Sequence, residues 1–161
     1  ILMTIHPQTK IGHMHLTVAN LEKSLIFYRD ILGFEISARY GDSAVFLSAG
    51  GYHHHIGLNT WQGEGVTPPP AGHSGLYHFA ILFPTRKELA SALKRLIDAQ
   101  YPITGASDHG VSEAIYLQDP DNIGVELYAD RPESEWKRKD GKIEMVTKSL
   151  DLDDLLGELE A

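Results

Sequence analysis

Residues 11–33 read IGHMHLTVANLEKSLIFYRDILG and residues 76–98 read LYHFAILFPTRKELASALKRLID. The fold turns on reading these two stretches as one unit written twice. In the first, Ile11, Met14 or His15, Leu16 and Val18 fall near period two, which suits a strand. Asn20 then stands as an N-cap, and Leu21, Leu25, Tyr28, Ile31 and Leu32 recur at helical spacing until Gly33 supplies the stop. In the second, Leu76 to Phe83 reads as a strand. Thr85 caps a helix with Glu88 at the capping-box spacing, and Leu89, Leu93, Leu96 and Ile97 make its apolar stripe.

The residues downstream of the two stretches are also alike. After the first come strands over Phe34 to Tyr40, Ser43 to Ser48 and, past the turn Gly50-Gly51, Tyr52 to Trp61. After the second come strands near Pro102 to Gly105, over Ala114 to Gln118 and over Gly124 to Tyr128, the last two joined by the turn Asp119-Pro120-Asp121-Asn122. Each half is therefore β-α-β-β-β, and two such units bury faces that neither buries alone. The expected fold is α+β: two tandem βαβββ modules, 11–61 and 76–130, forming a curved mixed sheet around a cleft within a single domain, 1–161. The Gly- and Pro-rich stretch 62–75, QGEGVTPPPAGHSG, is a linker or an active-site loop. Residues 131–161 form a C-terminal extension. In it a hairpin-like WKRKDGKIEMV leads to the acidic amphipathic tail SLDLDDLLGELEA, expected to pack as a short helix or to meet a partner subunit.

Composition narrows the function. With 22 acidic against 14 basic residues the net charge is -8, a balance that repels phosphate backbones and anionic lipid surfaces, so neither nucleic acid nor membrane is an expected partner. No run of 18 apolar residues occurs, and Ile1-Leu2-Met3-Thr4 lacks the features of a signal peptide, so a cytoplasmic location is expected. The chain has no cysteine but nine histidines. Any metal must therefore be held by nitrogen and oxygen.

Three residues stand where such a site would form. His13 and His78 occupy equivalent first strands, 65 positions apart. His15 lies on the same strand face as His13 and is a possible substitute for it. Glu126 stands between Val125 and Leu127; if those two face the helices, Glu126 points to the concave side. A carboxylate held among apolar residues is costly without a cation. Two imidazoles and one carboxylate suit Fe(II), Mn(II), Zn(II) or Ni(II).

The strings IGHMHLTVANLEKSLIFYRDILGF, GLYHFAI and IYLQDPDNIGVELY together make the span from Ile11 to about Trp136 resemble the vicinal oxygen chelate superfamily. This superfamily groups glyoxalase I, extradiol ring-cleaving dioxygenases, fosfomycin-resistance transferases and bleomycin-binding proteins. The resemblance implies the glyoxalase fold, with one divalent metal on His13, His78 and Glu126. A fourth ligand would fall on the last strand of the first half: matching Ile56 and Leu58 to Val125 and Leu127 leaves His55 or Gly57 at the place of Glu126, with His55 the better ligand. The stretch SDHGVSEAIYLQDPDNIGVELY is most similar to the extradiol dioxygenase signature, with Ser107 and Asn122 departing from it. By that likeness Fe(II) is the favoured metal, a catechol-like aromatic the substrate, His109 the proton-transferring residue and Tyr128 a hydrogen-bond donor. The alternatives are a glyoxalase-type isomerase with Ni or Zn and a non-catalytic binder of small aromatics or drugs. A two-module chain of this kind is expected to complete its cavity as a homodimer.

Overall fold

The structure is a computed structural model and describes residues 4–161; Ile1 to Met3, part of the stretch expected to lack a targeting signal, lie outside the described residues. The first half runs β1 (Met14–Thr17), α1 (Leu21–Leu25) with a π-helical continuation over Ile26–Ile31, β2 (Glu35–Tyr40), β3 (Ala44–Ser48) and β4 (Ile56–Asn59). The second half repeats the order with β5 (Phe79–Phe83), α2 (Arg86–Asp98), β6 (Gly105–Asp108), β7 (Ser112–Gln118) and β8 (Gly124–Asp130). Both helix caps are made as the sequence predicts. The Asn20 side chain accepts the Lys23 N–H at 2.9 Å and Thr85 accepts the Glu88 N–H at 3.2 Å. Gly33, with φ of 92°, takes the left-handed turn that ends the first helix.

The strands of the two modules form two sheets. The first has the order β1-β4-β3-β2; in the second, β11 (Lys148–Ser149) is added at the edge to give β11-β6-β7-β8-β5. In each, the first strand pairs parallel with the last of its module: Met14 lies opposite Ile56, and Phe79 opposite Val125. Strand parity then sorts the side chains. Leu16, Val45, Leu47 and Leu58 from the first sheet, and Ile115, Leu117, Val125 and Leu127 from the second, are buried with Leu25, Phe27, Tyr28, Leu89, Leu93 and Leu96 of the helices. The opposite faces carry the candidate site.

Polar contacts tie one half to the other. The buried Tyr28 hydroxyl donates to Asp119 Oδ2 at 2.7 Å, and the Ala19 N–H donates to Asp121 Oδ1 at 3.0 Å, so the turn expected at 119–122 is clasped by the first module. From α2, Arg95 donates to the carbonyls of Ile31 and Leu32 at 3.0 and 3.2 Å, closing the end of the first helix.

The strand expected near Pro102 to Gly105 lies instead at Gly105–Asp108, and three strands begin three or four residues later than their sequence patterns suggest. The first strand begins at Met14 rather than Ile11, the fifth at Phe79 rather than Leu76, and β4 at Ile56 rather than Tyr52. The residues ahead of these starts have no paired partner in the ladders, although the His55 N–H still donates to Leu47 O and its carbonyl accepts the Met14 N–H at the very end of its ladder. The extension forms the hairpin β9 (Arg138–Lys139) and β10 (Lys142–Ile143), then β11, then α3 (Leu152–Gly157), the short helix expected of the tail. Leu155 of α3 is fully buried. Arg86 anchors that helix through Asp154 and Glu158 at 2.5 and 2.6 Å while it also holds the buried Glu113 at 2.6 Å.

Candidate metal centre

His13 and His78 each stand one residue before the first paired residue of β1 and β5, which makes them equivalent in the repeat. On the second sheet Ala80 lies opposite Glu126 and Tyr116 lies opposite Glu126 from the other side, while Leu82 and Ala114 flank Tyr128 in the same way. Glu126 and Tyr128 therefore share the face away from the helices. Val125 and Leu127 between them are buried, as strand parity requires.

The centre of this face is a chain of contacts. His78 Nε2 lies 2.8 Å from Glu126 Oε2. The Tyr116 hydroxyl is 3.3 Å from Glu126 Oε1 and 2.7 Å from His109 Nε2. The Glu126 side chain is only 13% exposed, and among the described residues no lysine or arginine pairs with it. Burial, then the Glu126 charge, pushes the Tyr116 hydroxyl up to about 12, so at neutral pH it is a hydrogen-bearing phenol. Tyr128 is raised too, by burial first and then by Asp130 and Glu126.

One glycine makes this arrangement possible. Gly124 lies directly under the start of β5: a Cβ there would overlap Tyr77 O and come within 2.9 Å of His78 Cβ. Only a residue without a side chain lets His78 settle beside Glu126.

The expected ligands are brought together only in part. His78 and Glu126 touch, but His13 lies with its ring centroid 4.2 Å from that of His54, and among the described residues no group of three His, Cys, Asp or Glu side chains is gathered as a metal would need. The physical reason is that β1 and β5 are edge strands of separate sheets, so no ladder sets the distance between their leading histidines. His13, His55, His78 and Tyr128 nevertheless line one cleft of about 780 Å³ at the junction of the sheets, together with apolar side chains such as Ile11 and Leu82. His78 also lines a second hollow of about 560 Å³ with His109, Tyr116 and Gly124.

His55 does not sit on a strand. His53, His54 and His55 precede β4, and His55 Nδ1 accepts the Ala49 N–H at 3.2 Å. The observed register puts Gly57, opposite His15, at the place that Glu126 holds opposite Ala80. His15 packs its ring on Gly57, where a Cβ would come within 3.0 Å of it. The first sheet thus has a covered glycine where the second has its carboxylate. His54 has its imidazole held below the ordinary range, by burial first and then by His13 and His53.

His109 lies in the turn between β6 and β7, not in a strand. Tyr116 is the residue that motif reading passed over as a functional group. Its signal was available, because the hairpin of β7 and β8 about the turn at 119–122 pairs 116 with 126.

Two βαβββ units with a cleft lined by imidazoles at their junction, one of which meets a carboxylate of the second sheet, define a paired-module α+β protein with nitrogen and oxygen donors. The family model of the Glyoxalase/Bleomycin resistance protein/Dioxygenase superfamily matches residues 10–127, and the chain belongs to that superfamily. It is 44% identical over 158 residues to a catechol-2,3-dioxygenase from Bacillus subtilis (strain 168), a match that covers 98% of this chain and 54% of that protein. It is 31% identical over 129 residues to biphenyl-2,3-diol 1,2-dioxygenase 3 from Rhodococcus globerulus, covering 80% of this chain and 66% of that one. The chain thus spans about half the length of the first relative and just under two thirds of the second. A crystal structure of a glyoxalase/dioxygenase from Nostoc punctiforme shares the fold, with a TM-score of 0.65 and 18% identity over 82% of this chain and 99% of that one.

Proposed function

We propose that this chain holds one divalent metal through His13, His78 and Glu126 and takes part in extradiol-type cleavage of a catechol-like ring. The observation that carries the reading is the His78–Glu126 pair, a 2.8 Å contact between an imidazole and a mostly buried carboxylate that has no basic partner among the described residues. Such a carboxylate is stabilised by a cation, and neutral imidazole with carboxylate is a donor set for Fe(II), Mn(II), Zn(II) or Ni(II). Fe(II) is the metal favoured here, and the names of the two dioxygenase relatives support a vicinal diol as substrate. When bound, the metal supplies Lewis-acid and one-electron chemistry to a substrate with two adjacent oxygens.

The chain's own residues do the rest. Tyr116 and His109 hold an exchangeable proton between Oη and Nε2, next to Glu126. Tyr128 faces the same cleft as His78 and is positioned to donate to a bound ring oxygen. His55, engaged by Ala49, is left outside the ligand set. A cytoplasmic homodimer is the proposed working form; no helix among the described residues is long and apolar enough to cross a membrane.

The test is elemental analysis of untagged protein, followed by oxygen uptake with catechol after anaerobic loading with Fe(II). One equivalent of metal and a ring-fission product are expected, and both are expected to be lost in His78→Ala and Glu126→Ala. Full metal content in both variants would sink the site. A non-catalytic binder of small aromatics is the second reading, favoured by the placement of His13 against His54 rather than beside Glu126. It predicts catechol binding without oxygen uptake.

A further inference from the structure

The extension after β8 returns to the candidate centre. Residues 144–149 cross the turn that bears His109: β11 pairs Lys148 with Asp108 and Ser149 with Ser107, and the Val146 N–H donates to the His109 carbonyl at 3.1 Å. The same residue reaches the imidazole, with Val146 O 2.9 Å from His109 Nδ1. Thr147 Oγ1 lies 3.4 Å from that nitrogen. Gly110, with φ of 76°, leaves room for this strap, since a Cβ there would come within 3.2 Å of Val146 Cγ2. Beyond the strap, α3 fastens it by the burial of Leu155 and by the bonds of Asp154 and Glu158 to Arg86.

We infer that this strap is a positioning element for His109, and that the Val146 carbonyl fixes the neutral imidazole as its Nδ1–H tautomer. A carbonyl oxygen only accepts, so the nitrogen 2.9 Å from it must carry the hydrogen. In the neutral ring Nε2 then has a lone pair, and the hydrogen in the 2.7 Å contact with Tyr116 is the phenol's own. Tyr116 has one hydrogen. Given to His109, it is withheld from Glu126 Oε1 at 3.3 Å, which leaves that oxygen without a donor and open to a cation. When His109 takes up a proton, Nε2–H donates to Tyr116 and the phenol hydrogen turns to Glu126. The strap therefore makes Nε2 the nitrogen that gains and loses the proton. The catalytic meaning of this rests on the function proposed above, but the tautomer does not.

The experiment is long-range ¹H–¹⁵N NMR of the histidine rings in the full chain, with His109 assigned by His109→Gln. In the wild type at a pH where His109 is neutral, a protonated Nδ1 and an unprotonated Nε2 are expected, with an Nδ1–H resonance showing nuclear Overhauser contacts to Val146 or Thr147. Val146→Pro deletes the N–H that holds the strap to the His109 carbonyl, and loss of the Nδ1–H bias is expected. A predominant Nε2–H tautomer in the wild type overturns the inference, as does a folded Val146→Pro protein that keeps the Nδ1–H form. If that variant does not fold, the wild-type tautomer and its contacts decide alone. Failure to turn over catechol leaves the spectrum unchanged, so it counts only against the proposed activity.

Discussion

Gly124 shows how much one missing side chain can carry. β5 and β8 are joined in parallel register from Phe79 opposite Val125 onward, and His78 stands just ahead of that pairing. A methyl group at 124 has nowhere to go except into Tyr77 O and His78 Cβ. Gly124→Ala is therefore expected to push His78 off Glu126 and to weaken metal binding about 10- to 100-fold, the range seen when the support of a ligand is disturbed. Calorimetric titration with Mn(II) measures this, and far-UV circular dichroism should remain that of the wild type. Unchanged affinity in a folded variant would remove the His78–Glu126 pair from the site. On the other sheet Gly57 holds the place of Glu126, and there His15 fills the space. A side chain at 57 therefore has no room beside β1 while His15 stays.

At the scale of elements, the turn between β7 and β8 is locked from across the molecule. Asp119 is 4% exposed, and its oxygens accept from Tyr28 and from the backbone of Asp121 and Ile123 at 2.7, 2.8 and 2.9 Å. Burial first, and Asp119 second, hold the Tyr28 hydroxyl well above its ordinary range. The folded state thus keeps this proton more firmly than the unfolded chain does. Its contribution is fully present below about pH 10 and is lost as the pH rises beyond that. Tyr28→Phe should cost about 1.5–3 kcal/mol at neutral pH, the worth of a hydrogen bond to a charged group. It should also lessen the decline in stability at alkaline pH, without abolishing it, because Tyr101 and Tyr116 are pushed up to about 12 by burial as well. Urea unfolding at neutral pH and in the tyrosine range measures both. Equal slopes with pH in the two proteins would show that Tyr28 ionises freely.

At the scale of the whole molecule, the charge of -8 and the walls of the cleft act in the same direction. Neither hollow is lined by a lysine or an arginine. A substituent carboxylate would meet an acidic field with no basic side chain on the walls to receive it. If the chain cleaves catechols, a ring bearing a carboxylate should be handled about tenfold or more less efficiently than catechol or an alkyl catechol at low salt, with the gap narrowing as salt is added. Leu82→Arg places a cation on the wall and should reduce the gap. Competition kinetics with the substrate pair checks both statements, and equal kcat/KM values for the two would refute them.

The repeat, the caps at Asn20 and Thr85, the stop at Gly33 and the outward face of Glu126 were legible in the chain, because each depends on period, parity or a local hydrogen bond. The pairing of His78 with Glu126 was nearly so, since His78 stands one residue ahead of the parallel ladder that carries Glu126. The place of His13 was not: it stands ahead of β1 as His78 stands ahead of β5, but its own sheet has Gly57 where the second has Glu126, and its ring meets His54 in the loop before β4. Nor could the triple histidine be placed, because strand parity says nothing of residues that precede the ladder. The extension shows the limit most clearly, since its pattern foretold a hairpin and a helix. That it returns to His109 is decided by contacts between residues 37 positions apart, and no local signal in a sequence records such a contact.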